Sequence, residues 1–191
     1  VPPRPANRFD AASHRYYAGS VELVSVTTLL ERDGQLDSWW FTEESRDRGQ
    51  WVHARTAEFD LTGESGDLSR HEEWAGYVRA YESFRRLVPC RFDLVEVPLY
   101  RPDLGLAGTP DRGGLVYGRE TVLDLKTGGP LEWHGRQLAL YDILRGQLPP
   151  GTRQRIGLYL STTGKFKIKP YTLTSDYREA ERLLSGLRRT A

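Results

Sequence analysis

Two periods of apolar spacing divide this chain. From about residue 36 to 88 the apolar positions recur at helical spacing, and from about 92 onward they come in short runs and alternations of strand type. Ahead of the helical stretch, Tyr16 to Val24 reads as a small hairpin turning around Ala18-Gly19-Ser20. Ser25 is placed to cap a short helix through Glu31 that Asp33-Gly34 ends. Helices are predicted over about 36–60 and 69–88, separated by Leu61-Thr62-Gly63-Glu64-Ser65-Gly66. Their aromatics, Trp39, Trp40, Trp51, Phe59, Trp74, Tyr77, Tyr81 and Phe84, are expected mostly in the core. Strands are predicted at about 92–101, 105–112, 115–118 and 120–126, then a helix at about 132–147 that Pro149-Pro150-Gly151 breaks. Strands at about 154–161 and 165–173 and a helix at about 175–189 complete the order.

Within this pattern, Val122-Leu123-Asp124-Leu125-Lys126 is the anomaly. It reads as a buried strand, yet Asp124 and Lys126 are two residues apart and share one face. Buried charge is costly unless paired, so an ion pair at a strand end is the plain reading. The glycine-punctuated stretch from Arg112 to Arg119 is hairpin-like and would return Asp111 to the side of Asp124. Two carboxylates held together repel unless a cation lies between them, and a hard divalent cation suits that place.

The motifs Gly108-Thr109-Pro110-Asp111, Asp124-Leu125-Lys126 and Gln137-x-x-x-Tyr141, with Gly49-x-x-x-His53 upstream, resemble the RecB-like branch of the PD-(D/E)XK nucleases. The opening Phe9…His14-Arg15-Tyr16…Ser25-Val26-Thr27-Thr28 is similar, more loosely, to stand-alone viral and phage exonucleases of that branch. The resemblance implies an α/β fold, a central mixed sheet flanked by helices, with an N-terminal helical extension. It implies one domain over 1–191, with a mostly helical part over 1–90 carrying His53 and a sheet core over 91–191. It implies Asp111 and Asp124 as metal ligands, joined by His53 and the backbone carbonyl of Leu125. Lys126 would orient or help deprotonate the attacking water and counter charge on the phosphate. Gln137 and Tyr141 share a helix face, which suits positioning of phosphate or strand. The expected cofactor is Mg2+ or Mn2+, and an imidazole ligand favours manganese.

Glu96 interrupts an apolar strand, and if the following turn centres near Asp103 it lies beside Asp111. It is then a further metal or water ligand, against the reading of a solvated edge charge that Pro98 favours. His134 and Arg136 flank the Gln137 face and are candidates for DNA contact. So are Lys165, Lys167 and Lys169, which alternate on one strand face, and Arg178, Arg182, Arg188 and Arg189 on the last helix.

Composition narrows the classes. With 38% hydrophobic and 28% charged residues the chain is neither disordered nor a membrane protein, and no signal-peptide pattern opens it, so a cytoplasmic location is expected. The net charge of +1 gives no global basic field, so DNA contact would rest on local patches. One cysteine, Cys90, excludes a disulfide framework and an all-cysteine metal or iron–sulfur site within the chain. No P-loop is present, so these 191 residues hold no helicase motor. The expected function is a metal-dependent deoxyribonuclease acting on DNA ends, single- or double-stranded, in recombination, repair or phage replication. A structure- or sequence-specific endonuclease and a non-catalytic DNA-end-binding module are the alternatives. A single-strand annealing or recombination protein and further copies of the chain are partners the resemblance allows.

Overall fold

The computed structural model describes residues 6–36 and 42–190, the last three by their backbone only. The expectations for Trp39 and Trp40, and for the side chains of Arg188 and Arg189, lie outside the described residues. In chain order the elements are β1 (Asn7–Asp10), β2 (Arg15–Ala18), β3 (Val21–Ser25), α1 (Val26–Arg32), α2 (Glu43–Thr62), α3 (Ala75–Leu87), β4 (Cys90–Val95), β5 (Leu99–Arg101), β6 (Leu106–Gly108), β7 (Arg112–Val116), β8 (Arg119–Lys126), α4 (Trp133–Arg145), β9 (Gln154–Leu160), β10 (Phe166–Pro170) and α5 (Ser175–Thr190).

The main sheet has the order β10-β9-β8-β7-β4. Only β8 and β9 run parallel, because α4 carries the chain back across the sheet between them. The expected order of helix, three strands, helix and strand is therefore present as α3, β4, β7, β8, α4 and β9, a mixed sheet flanked by helices.

β8 is buried on both faces, and its side chains alternate between two cores. Leu123 and Leu125 join Val52, Tyr81 and Phe84 of α2 and α3. Val122 joins Leu138, Tyr141 and Leu183 of α4 and α5. Each such leucine contributes about 1.5–3 kcal/mol by burial. Asp124 and Lys126 share the parity of Val122, so they project toward α4.

The expected hairpin at 112–119 is the β7–β8 pair, turned by Tyr117 and Gly118, both left-handed at φ 51 and 73. Such a two-residue turn matches the twist of paired strands. Arg112 pairs with Leu123, so one residue further along the ladder Asp111 comes opposite Asp124. Ser25 caps α1 through Thr28, as expected from its hydroxyl, and Thr42 caps α2 through Ser45.

The strand expected over 92–101 and the one over 105–112 are each broken in two. A second sheet, β1-β2-β3-β6-β5, lies beside the first. The chain leaves the main sheet after β4 through Glu96-Val97-Pro98 to reach β5. It returns from β6 through Thr109-Pro110-Asp111 to reach β7. Glu96 sits at φ 50, a left-handed conformation unusual for a residue with a side chain. Pro98 brings no amide hydrogen to continue the ladder. The two crossings run side by side, tied by the Glu96 amide donating to the Asp111 carbonyl at 3.0 Å. The sequence expectation carried one sheet because local alternation does not say which sheet a strand joins. Among the described residues no helix is long and apolar enough to cross a membrane.

Candidate metal centre

Both crossings deliver a carboxylate to one point, and α2 delivers an imidazole. His53 Nδ1 lies 3.3 Å from Glu96 Oε1 and 3.3 Å from Asp111 Oδ1. One donor atom from each of His53, Glu96 and Asp111 falls within 4.8 Å of the others. Asp111 is 5% exposed, and its second oxygen, Oδ2, accepts from the Leu125 amide at 2.5 Å. That bond fixes the carboxylate with Oδ1 toward His53.

The charges are strongly interdependent. Burial disfavours a charged imidazole at His53, but the Asp111 and Glu96 carboxylates outweigh it and raise its pKa well above the usual value. Burial likewise opposes charge on Asp111, while His53, Lys126 and the Leu125 amide bring its pKa down below the carboxylate norm. Asp124 goes the other way. Burial first, then the Asp111 charge, push it up to about 7 despite Lys126. Two carboxylates in one buried place cannot both be cheaply ionised without a cation.

Asp124 is 3% exposed and is not one of the three clustered residues. Its Oδ2 is ion-paired with Lys126 Nζ at 2.5 Å. Lys126 Nζ donates to Gln137 Oε1 at 3.0 Å and stands 5.1 Å from the Trp133 ring centre. Gln137 is buried on α4, one helical turn before Tyr141. Tyr141 lines the cleft that also holds His53, Glu96 and Asp111. Its phenol is pushed up by burial and then by the Asp124 and Asp111 charges. The structure thus brings His53, Glu96, Asp111, Asp124, Leu125, Lys126, Gln137 and Tyr141 together.

Other candidates sit elsewhere. His134 is 3% exposed and is not presented as a surface contact; Nδ1 takes the Leu131 amide at 3.3 Å and meets the Tyr159 hydroxyl at 2.8 Å. Arg136 donates to Gln35 at 3.1 Å and faces Glu132. Lys167 is exposed on the edge strand β10 and Lys165 is exposed just before it, while Lys169 lies 4.8 Å over the Tyr171 ring. Arg182 is taken up by Asp33 and Glu179, and Arg178 is exposed.

Sequence reasoning missed Arg112, read only as the flank of a hairpin. Its side chain is wholly buried. It donates from Nε to Asp60 at 2.5 Å and to the Tyr81 hydroxyl at 3.1 Å, from Nη2 to Thr56 at 3.0 Å, and from Nη1 to Glu96 at 3.0 Å and to its own neighbour's Asp111 carbonyl at 2.7 Å. No local spacing links these partners. The one signal available was an arginine following Asp111 in a run of buried-strand residues.

The donor set of one imidazole nitrogen and carboxylate oxygens, with the buried Asp124 carboxyl alongside, fits a divalent cation that accepts nitrogen beside oxygen. No family model and no curated protein matches this chain. Among solved structures, the chain is similar to an alkaline exonuclease from Laribacter hongkongensis, at 15% identity and a TM-score of 0.45, over 88% of this chain and 87% of that one. It is also similar to a protein named SSO0001, at 14% identity and a TM-score of 0.33, over 84% of this chain and 83% of that one.

Proposed function

We propose that this protein is a metal-dependent nuclease that hydrolyses phosphodiester bonds at DNA ends. The observation that carries the reading is the convergence of His53, Glu96 and Asp111 donor atoms within 4.8 Å, beside Asp124 and Lys126 on one strand face. His53, Glu96 and Asp111 would hold the cation, with Asp124 and the Leu125 carbonyl completing the set that the motif resemblance implies. A divalent cation held there supplies Lewis acidity toward a phosphate oxygen and toward water. It also relieves the repulsion that keeps Asp124 from ionising cheaply.

The remaining groups act on the substrate. Lys126 Nζ is fixed between Asp124 and Gln137, where it can offset the charge that develops on the phosphate oxygens. Gln137 sets the direction of Lys126, and Tyr141 bounds the cleft from α4. Arg112 holds Glu96 from behind and meets no substrate itself.

The test is incubation of labelled linear, nicked and closed-circular DNA with manganese, magnesium or a chelator. Loss of nucleotides from linear ends, only with metal, is the expected result. Cutting of the closed circle identifies an endonuclease instead. Binding to ends without cutting identifies a non-catalytic end-binding module and defeats the proposal.

A further inference from the structure

His53 lines two cavities, and the two differ in character. One, of about 750 Å³, is lined by Arg46, Arg48, Lys126, Trp133 and the Gly128-Gly129 backbone, and among its described lining residues there is no carboxylate. The other, of about 860 Å³, holds the Glu96 and Asp111 carboxylates and the rings of Phe9, His14, Tyr16 and Tyr141, with no lysine or arginine among its described lining residues. Both volumes fall within the roughly 300–1,000 Å³ of small-molecule sites. Gly49 and His53 of α2 line both. The rim between the cavities is therefore one helical turn, about 6 Å long.

Among the described residues nothing gives Gly49 a packing role inside the chain. Its φ is not left-handed, so no backbone conformation requires glycine. A Cβ there would meet no described atom within 4 Å, so no close packing requires it either. Glycine weakens a helix interior relative to alanine. With no side chain, it leaves the helix surface between the two cavities lower than any other residue would.

We infer that a single nucleic-acid strand crosses α2 at Gly49, its phosphates on one side held by Arg46 and Arg48 and its bases on the other side against Phe9 and His14. Arg46 is exposed, and Arg48 is half-buried, steadied by Thr127 at 3.3 Å and lying 5.7 Å over the Tyr77 ring. Guanidinium groups with no carboxylate among the described residues of their lining suit phosphate, and aromatic faces suit unpaired bases whatever their sequence. A rim one helical turn long admits one backbone and excludes a paired duplex from the cation cluster. This placement rests on the nuclease reading for its purpose, since the phosphate at the rim is the one presented to His53, Glu96 and Asp111.

The experiment measures binding of a short single-stranded oligodeoxynucleotide, and of the same sequence as a duplex, by fluorescence anisotropy in calcium over a range of salt. The proteins are wild type, Arg46→Ala/Arg48→Gln and Gly49→Leu; leucine is a good helix former, so the last fills the rim without opposing the helix. Unfolding midpoints equal to wild type establish that the variants are folded. The expected result is a log–log salt slope shallower by about 1.4 in the double variant, two single-strand phosphate contacts at about 0.7 each. Gly49→Leu should bind about tenfold more weakly. Unchanged slope and affinity in the folded variants, or tighter binding of duplex than of single strand by wild type, overturn the strand path. If wild type shows these dependences yet cuts nothing with manganese or magnesium, the strand path stands and the nuclease reading falls.

Discussion

Arg112 Nη1 donates to Glu96 Oε1 at 3.0 Å, from a side chain with no exposed surface to one 30% exposed. The same guanidinium bonds Asp60 of α2 and Tyr81 of α3. One arginine thereby connects both helices packed on one face of the main sheet to a carboxylate of the proposed metal centre. Glu96 stands at a left-handed backbone position between two sheets, where no regular ladder fixes its side chain. Its direction depends on Arg112.

Removing that guanidinium should cost both stability and cation binding. Arg112→Ala leaves Glu96 without its buried partner, although Asp60 keeps Arg85 at 3.1 Å. Breaking a buried pair costs about 3–5 kcal/mol, read as a lower urea midpoint. Arg112→Lys keeps a charge but cannot reach Asp60, Thr56 and Glu96 at once. It should fold and yet bind manganese about 10–100-fold more weakly by calorimetry. Wild-type manganese affinity in folded Arg112→Lys would remove Arg112 from the site.

Lys126→Ala should bind oligonucleotide in calcium nearly as wild type does and cleave about 10²–10³-fold more slowly with manganese. Its charge is matched to the transition state more than to the bound ground state. The loss also removes the group that lowers Asp124, so that carboxyl should titrate higher still. Single-turnover cleavage measures the first effect, and cutting at the wild-type rate would show that Lys126 has no catalytic part.

Cation binding should expel a proton from His53. In the free protein the Asp111 and Glu96 charges raise its pKa well above 6.5 against the cost of burial. A group whose folded pKa is raised lends stability that is full below the unfolded value and is lost as pH rises through the folded one. A metal-ligating imidazole must be neutral, so manganese should bind more tightly as pH rises through that elevated pKa. The rise belongs above pH 6.5, higher than an unperturbed histidine would place it. Asp124, near 7 in the free protein, should also give up part of a proton, so calorimetry in buffers of differing ionisation heat should count up to about one proton more released by wild type than by His53→Ala. Equal proton release and equal manganese affinity in the two proteins would return His53 to a purely structural part.

His134 should govern acid stability. Burial, then the Lys126 and Lys169 charges, bring its pKa down to about 3. Unfolded, the same imidazole titrates near 6.5 and so binds more protons than the folded form between those values. Stability is therefore complete above 6.5 and is lost as pH falls through 6.5 toward 3, at up to about 1.4 kcal/mol per pH unit. His134→Gln should flatten urea-midpoint curves between pH 6.5 and 4. An unaltered slope would show that other groups set the acid limit.

Much of the site was legible from local pattern. Asp124 and Lys126 declared themselves because a strand alternates with period two, and two charges on one face of an apolar run stand out. The return of Asp111 to Asp124 followed from the glycines of the 112–119 hairpin. Gln137 and Tyr141 followed from helical spacing. Glu96 was placed beside Asp111 by counting residues across the turn near Asp103, and the short helical turn at Pro102–Leu104 lies where that count needed it. The two sheets were not legible, since residues 92–101 look the same whether they join one sheet or cross between two.

The amino-acid sequence by itself determined the helix–strand–helix–strand order of the core, the cap at Ser25, and the faces on which Asp124, Lys126, Gln137 and Tyr141 lie. These depend on backbone periods and on side chains a few residues apart. Only the tertiary structure decided that Arg112 joins Asp60, Tyr81 and Glu96, that His134 turns into a tyrosine network, and that Gly49 stands on a rim between two unlike cavities. The physical reason is the same in each case. A buried charge takes whichever partner the packing of distant elements brings within hydrogen-bond reach, and Asp60 and Arg112, 52 residues apart, meet only because α2 lies against the main sheet.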